Sequence, residues 1–135
     1  MKAPVVRSIH FEDITGLPEA HSDARRTIYE RITTADNGVQ RISRSVVNAD
    51  EAVMGNHYHD FDQTFRGRGD GVLYTAPQGN PEDVTEQALP AAGWSFVIPE
   101  GMIMALRLKK GAVQIFESGS EYADGTNTHR VVIAS

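Results

Sequence analysis

Apolar and polar residues alternate along most of the chain, with the period of two that half-buried β-strands show. Clusters of Gly, Pro, Asn and Asp separate these alternating segments, as expected for turns. The predicted strands lie at residues 27–32, 39–47, 71–75, 94–98, 102–108, 112–116 and 130–133. Many short strands joined by tight turns indicate an all-β sandwich or small barrel.

Several connecting segments need a separate interpretation. Residues 17–26 are compatible with a short helical turn, and residues 83–88 with a second helical turn or a polar loop. Residues 67–71 lack the strand-to-helix context of a phosphate-binding loop, so they are interpreted as a hairpin turn. Further turns are predicted at residues 35–38 and 124–125.

Length and charge narrow the classes of protein to which the chain could belong. With 135 residues it is long enough for one domain, which we expect to span residues 1–135. A formal net charge of -5 argues against a nucleic-acid partner, because nucleic-acid phosphates require a basic surface. We therefore expect no nucleic-acid partner.

Cysteine usage and hydropathy bear on the cellular compartment. The absence of cysteine excludes disulfides and thiolate metal sites, and it is typical of a reducing cytoplasm. The first residues lack the apolar core of a signal peptide, and no apolar run approaches the ~18 residues that a membrane span needs. We therefore expect a cytoplasmic protein without a membrane partner.

The most informative local feature is the pair His57 and His59, which are two of only five histidines. Side chains alternate between the faces of a strand, so both imidazoles should point to one side and Tyr58 to the other. Such a pair is typical of a metal site or of proton transfer. The structural alternative is two hydrogen-bonded histidines inside a barrel.

Two segments around this pair resemble the two signature motifs of the cupin superfamily. The first motif of that family has a His-x-His pair, an acidic residue a few positions later, and then a glycine. Here these positions are occupied by His57, His59, Gln63 and one of the glycines at residues 67–71.

The second cupin motif has a glycine, a Pro-x-Gly turn five residues later, and then a histidine. The corresponding positions here are Gly93, the turn at residues 99–101, and Met104 in place of the histidine. The resemblance implies a small cupin-type β-barrel, also called a double-stranded β-helix or jelly roll.

The resemblance also implies a possible metal site. Metal-binding cupins use three histidines and a glutamate, which are good donors for a divalent transition metal. Carried over, the candidate ligands are His57, His59 and Gln63, with Met104 a weaker one because a thioether is a soft donor. A metal-dependent enzyme of this kind would be dioxygenase-like or lyase-like.

Within the superfamily, the chain looks most like the branch of sugar-nucleotide ketoisomerases and capsule-sugar cupins. The resemblance extends to the strand at residues 39–47 and to the segment at residues 117–124. In that branch the histidine pair moves a proton between carbon and oxygen of a keto-sugar without a metal. It therefore implies that His57 and His59 are base and acid and that no cofactor is required.

Several further residues are candidates for ligand binding in the barrel. Gln63 and Met104 should lie beside the histidines, and Phe65 and Tyr74 are placed where they could contact a sugar ring or be packed in the core. Arg66 is a candidate for the phosphates of a sugar nucleotide, with a solvated turn as the alternative.

Three functions remain open from the sequence. The first is an isomerase or epimerase acting on a nucleotide sugar or related carbonyl compound, with His57 and His59 as the acid/base pair. The second is a metal-dependent cupin enzyme, and the third is a non-catalytic ligand-binding cupin. The family also implies a homodimer, in which a strand at residues 5–11 is available to pair across subunits.

Overall fold

The computed structural model describes residues 2–35, 38–118 and 128–135. These residues form strands and connecting loops, and none of the described segments is a helix that could cross a membrane. The all-β class that the alternation predicted is therefore confirmed. The strands are β1 Arg7–Ser8, β2 Glu19–Ser22, β3 Arg26–Ala35, β4 Gly38–Val47, β5 Glu51–His59, β6 Gln63–Arg68, β7 Gly71–Pro77, β8 Thr85–Leu89, β9 Trp94–Ile98, β10 Met102–Lys109, β11 Val113–Ser118 and β12 Thr128–Arg130.

The strands form two antiparallel sheets that face each other. One sheet has the order β1-β9-β6-β11-β4-β3-β2, and the other has the order β12-β5-β10-β7-β8. From β4 to β7 and again from β8 to β12, each strand lies in the opposite sheet to the strand before it. This alternation between sheets is the arrangement of a jelly-roll barrel, and it places a core between the two sheets.

The predicted strands agree with the observed ones at most positions. Residues 94–98 form β9 as predicted, and the predictions for β3, β4, β7, β10 and β11 differ by a few residues at their ends. The apolar residues of β10 are buried over nearly its whole length, since it lies in the middle of its sheet between β5 and β7. A run of apolar residues is expected for such a central strand.

Two helical interpretations are wrong. Residues 17–26 contain β2, which pairs with β3, and residues 83–88 contribute to β8, which pairs with β7. Both strands lie at the edge of a sheet, where one face is exposed and polar residues are tolerated. Their hydrophobic alternation is therefore weak, although pairing with a neighbouring strand holds the backbone extended.

The hairpin interpretation of residues 67–71 is also wrong. β6 and β7 flank this segment but belong to different sheets, so the turn carries the chain from one sheet to the other. Gly69 has a positive φ of 107° at this corner, and its N–H donates to the Ala91 carbonyl at 2.8 Å. The positive φ explains the use of glycine at this position.

The two ends of the described chain differ from expectation. Within the segment at residues 5–11 only β1 is a strand, and it pairs with β9 of the same chain. A homodimer therefore stays a prediction, as does the cytoplasmic location. At the other end β12 stops at Arg130, before the predicted strand at residues 130–133 is complete. The turn predicted at residues 124–125 and the middle of the turn at residues 35–38 lie outside the described residues, as does most of the segment at residues 117–124.

A stack of aromatic rings fills the core at one end of the barrel. The ring centroids of Trp94 and Phe96 are 5.6 Å apart, those of Phe96 and Phe65 are 5.2 Å apart, and those of Phe65 and Phe116 are 5.8 Å apart. Gly67 lies against this stack, because a Cβ there would sit 2.5 Å from the Trp94 ring and 2.3 Å from the Val113 carbonyl oxygen. The stack leaves no room for a side chain at residue 67.

We expect Gly67→Ala to lower the free energy of unfolding by about 1–3 kcal/mol, since the added methyl group overpacks the core. Gly79→Ala is the matched control, because a Cβ at Gly79 meets nothing within 4 Å. Urea unfolding of both variants measures the difference. Equal stabilities would contradict the close packing described for Gly67.

Candidate functional site

His57 and His59 lie on β5 and point to the same side of the sheet. Their ring centroids are 4.5 Å apart and the rings are tilted by 53°. His59 is only 4% exposed, and its Nδ1 is 3.0 Å from the hydroxyl oxygen of Thr128 on β12. Tyr58 stacks instead on His129, with ring centroids 4.6 Å apart. The two imidazoles therefore lie side by side on one face of β5, and Tyr58 lies on the other face.

A β-bulge just before the pair decides which way the histidines point. The pairing of β5 with β10 shifts at this place, because His57 pairs with Met104 while Gly55 pairs with Ala105. Asn56 is the extra residue, and both Gly55 and Asn56 have positive φ, at 94° and 58°. A residue inserted in this way bends the strand and re-aims the side chains that follow it.

The bulge changes the phase of the inward-facing positions along β5. Before it, the buried core side chains are at even positions, Ala52 and Met54. After it, the residues that face the barrel interior are at odd positions, His57 and His59. If Asn56 were in regular alternation instead of bulged, positions 56 and 58 would face the interior and both imidazoles would point away from it.

The histidine pair lines a cavity of about 500 Å³ between the two sheets. The cavity wall includes buried polar side chains from the facing sheet, namely Ser43 and Ser45 of β4, Gln63 of β6 and Gln114 of β11. Closed protein cores rarely contain so many polar groups. A polar cavity of this size is typical of a small-molecule site.

Three polar atoms of residues that line this cavity lack a protein partner. Nδ1 of His57, Oε1 of Gln63 and Oε1 of Gln114 are buried, and none has a hydrogen bond to another residue in the described part of the chain. A buried polar atom without a partner is costly and calls for an explanation. A bound ligand that forms hydrogen bonds with them, directly or through water, would satisfy all three atoms.

The surroundings of His57 hold its imidazole in the neutral form. Burial is the largest influence and lowers the pKa of His57 below its usual value of 6.5, and the nearby cations of Arg26 and Arg130 lower it further. The ring is therefore largely neutral near neutral pH. A neutral imidazole has a lone pair that can accept a proton.

Four arginines at the cavity were not identified from the sequence. Arg25, Arg26, Arg41 and Arg130 all line it, whereas Glu30 is its one lining side-chain carboxylate among the described residues. Glu30 forms an ion pair with Arg41 and accepts a hydrogen bond from Ser43 Oγ at 2.6 Å. Four guanidinium groups against one carboxylate give the lining side chains a formal charge of +3 when both imidazoles are neutral. The cavity is thus cationic although the whole chain has a net charge of -5.

The structure brings five of the predicted site residues together. His57, His59, Gln63, Phe65 and Met104 all line the same cavity. Met104 is 2% exposed and lies directly opposite His57 on the neighbouring strand, so its thioether is packed beside the imidazole pair.

Arg66 and Tyr74 are not at the cavity, contrary to the expectation that they contact the ligand. On β6 the inward positions are Gln63 and Phe65, so alternation turns Arg66 outward, where its Nη1 is 3.6 Å from Glu117. The hydroxyl oxygen of Tyr74 accepts a hydrogen bond from Arg107 Nε at 3.2 Å, also outside the cavity.

Strand alternation could have identified two of the missed arginines, because Arg41 and Arg26 each lie on the same face of their strand as other residues that line the cavity. Arg41 shares its face of β4 with Ser43 and Ser45, and Arg26 shares its face of β3 with Ile28 and Glu30, which also line the cavity. The apolar face of a strand is normally assigned to the core. On β4 polar residues face inward, because part of the interior there is a cavity.

The donor set does not fit a divalent metal ion. No group of three or more His, Asp or Glu side chains that could hold a metal ion occurs among the described residues. The cavity offers two imidazoles, a carboxamide and a thioether, while its carboxylate, Glu30, is paired with Arg41. Divalent transition metals prefer an anionic donor in such a set.

Comparisons with known proteins bear on the fold. No protein-family model matches the chain, and no curated protein matches it in sequence. Among solved structures, CapF from Staphylococcus aureus, a capsular polysaccharide assembling protein, is 18% identical with a TM-score of 0.64 over 87% of this chain and 32% of that chain. An oxalate oxidase in complex with the substrate analogue glycolate is 16% identical with a TM-score of 0.55 over 74% of this chain and 53% of that chain. A mutant of Bacillus subtilis oxalate decarboxylase is 9% identical with a TM-score of 0.61 over 89% of this chain and 33% of that chain.

These neighbours define the architecture as that of a cupin barrel, the fold that the two motifs implied. The fold prediction is confirmed. The chain spans about a third of the length of CapF, 32% of that protein. Identities this low establish the fold, and the activities of the neighbours do not transfer with it.

The lowered pKa of His57 predicts a specific dependence of stability on pH. The unfolded chain takes up this proton near pH 6.5, before the folded protein does, so the free energy of unfolding should fall as pH drops below that value. In His57→Gln this contribution is absent. Urea unfolding at a series of pH values should therefore show a smaller loss of stability for the variant. Equal losses would contradict a lowered pKa of His57 in the folded state.

Proposed function

We propose that this protein is an isomerase or epimerase-like cupin that acts on a small anionic carbonyl compound, a nucleotide sugar being the leading candidate. The observation that supports the proposal most directly is the imidazole pair, with ring centroids 4.5 Å apart, in a polar cavity. Two imidazoles at this separation can reach adjacent atoms of one substrate. CapF, a capsular polysaccharide assembling protein, has a similar fold, which agrees with a sugar-related substrate.

The proposed reaction moves a proton between carbon and oxygen. His57, neutral because burial lowers its pKa, takes the proton from the hydroxyl-bearing carbon next to the carbonyl group. The C–H electron pair becomes a carbon–carbon double bond, and the carbonyl oxygen takes up a proton from His59 to give an enediol. Return of a proton to the other carbon, with release of one from the other oxygen, completes an isomerisation. No external oxidant or reductant is needed, since one carbon is oxidised as its neighbour is reduced.

The arginines of the cavity support an anionic substrate. Arg26 and Arg130 are close enough to His57 to lower its pKa, so they are also close enough to act on a substrate bound there. Guanidinium groups bind phosphate and carboxylate with two parallel hydrogen bonds. They would also stabilise the negative charge that develops on oxygen while the carbon loses its proton.

Turnover should depend on both histidines. We expect His57→Gln and His59→Gln each to lower kcat by about 10²–10⁴-fold, the range that general acid–base catalysis contributes. His129→Gln is the matched control, because His129 pairs with Asp60 at 2.9 Å and is outside the cavity lining. The assay follows incorporation of solvent deuterium into a panel of keto-sugar nucleotides and simpler keto-sugar phosphates.

Two outcomes of this assay would redirect the proposal. Binding of a panel compound without deuterium incorporation would favour a non-catalytic ligand-binding cupin. Activity that is lost on chelation and restored by a divalent ion would favour a metal-dependent enzyme. For the proposed isomerase, chelation leaves the rate unchanged, and the acidic limb of the pH-rate profile lies below pH 6.5, since the base has a lowered pKa.

The placement of Gln63 and Met104 beside the histidines is testable by engineering a metal-binding donor set. Gln63 and Met104 both line the cavity beside the histidines, so Gln63→Glu together with Met104→His would supply three imidazoles and a carboxylate. We expect the double variant to bind Zn²⁺ at least about tenfold more tightly than the wild type, because two weak donors become strong ones. Calorimetric titration with Zn²⁺ measures the change. No gain in affinity would contradict the placement of these two side chains next to the imidazoles.

A further inference from the structure

The segment that follows β12 closes one side of the cavity. Arg130, Val132, Ala134 and Ser135 are among the lining residues, so the chain continues across the cavity after its last strand. Residues 131–135, called here the C-terminal strap, are not part of either sheet. Something other than a strand ladder must therefore hold the strap in place.

Asn56, the extra residue of the β5 bulge, supplies that attachment. Its Oδ1 accepts hydrogen bonds from the N–H groups of Ile133 and Ala134 at 2.9 and 3.0 Å, and its Nδ2 donates to the Ala134 carbonyl at 2.8 Å. Its own backbone carbonyl accepts from the Val131 N–H at 3.0 Å. Four hydrogen bonds thus join one residue to the strap.

The conformation of Asn56 serves this attachment. The residue has a φ of 58°, a region that few residues other than glycine adopt and in which asparagine is enriched. The residue is 9% exposed, and both polar atoms of its side chain form hydrogen bonds to the strap. Glycine would suit the backbone as well, so the side-chain amide is the feature that favours asparagine.

We propose that Asn56 is a positioning residue that clamps the C-terminal strap over the cavity, so that the strap limits which molecules reach His57 and His59. The inference rests on the proposed function only in taking this cavity as the ligand site. The same bulged residue turns the imidazoles inward and holds the wall that closes over them. A change at Asn56 therefore alters access to the histidines and not only the stability of the fold.

Three variants separate these roles. Asn56→Gly keeps the positive φ accessible and removes the three side-chain hydrogen bonds to the strap. Asn56→Asp keeps an oxygen that accepts from the two strap N–H groups and removes the donor. Gln87→Ala is the matched control, because the Gln87 amide holds the other end of the chain through a 3.0 Å hydrogen bond to the Pro4 carbonyl, outside the cavity.

The first measurement is amide hydrogen exchange at Ile133 and Ala134, which reports whether the strap is held. The second is the rate at which diethyl pyrocarbonate transfers its ethoxycarbonyl group to His57 and His59, located by peptide mass spectrometry near neutral pH. The exposed His10 in the same molecule serves as the internal reference. Neither measurement requires turnover. The inference about the strap can therefore fail while the isomerase proposal stands, and the isomerase proposal can fail while the inference about the strap stands.

We expect Asn56→Gly to raise both rates on the order of tenfold or more, because local opening of the strap no longer breaks three hydrogen bonds. Asn56→Asp should fall between the wild type and Asn56→Gly, and Gln87→Ala should leave both rates unchanged. Unchanged exchange in Asn56→Gly would show that Asn56 does not hold the strap. Faster exchange without faster acylation of His57 and His59 would show that the strap does not limit access, and it too would overturn the inference.

Discussion

The candidate site depends on one irregularity in the sheet, the β-bulge at Asn56. A strand has a side-chain period of two, so a single extra residue exchanges its inward and outward faces. Before the bulge, Ala52 and Met54 contribute apolar side chains to the core; after it, His57 and His59 enter the cavity. One strand thus serves both the packed and the hollow part of the barrel. The bulge also frees the Asn56 side chain to bind the C-terminal strap.

The interior of the barrel has two parts, a packed apolar core and a polar cavity. At one end Trp94 and Phe96 fill the core and leave no space even for a methyl group on Gly67. Phe65 of the same aromatic stack borders the cavity, whose other lining residues include serines, glutamines, histidines and arginines. Burial of such groups in a dry core would be costly without partners. Their presence is typical of a polar cavity and not of a closed, packed core.

The charge of the cavity differs in sign from that of the protein. The lining carries four guanidinium groups, while the chain as a whole is acidic. The local field matters more for a ligand in the cavity than the net charge, because neighbouring cations act at short range. Two of these arginines, Arg26 and Arg130, also help burial to lower the pKa of His57. The same charges would attract an anion to the cavity.

The sequence by itself determined the all-β class, most of the strands and, through its two motifs, the cupin barrel. Period-two alternation and turn residues are local properties, so they can be identified without a fold. It also indicated His57, His59, Gln63, Phe65 and Met104, since these lie within motifs of fixed spacing. The edge strands β2 and β8 were missed because edge pairing imposes little hydrophobic pattern.

Only the tertiary structure decided which charged residues surround the site. Arg26 and Arg41 lie on the paired strands β3 and β4 of one sheet, whereas Arg130 lies on β12 of the other sheet and joins them only when the two sheets face each other. Whether a polar face such as that of Ser43 and Ser45 points to solvent or to a cavity depends on what lies opposite, and no local pattern encodes that. The position of the strap is also decided by the tertiary structure. Its hydrogen bonds join Asn56 to Ile133 and Ala134, which lie 77 and 78 positions further along the chain. Contacts between such distant residues follow from chain topology and not from any local sequence period.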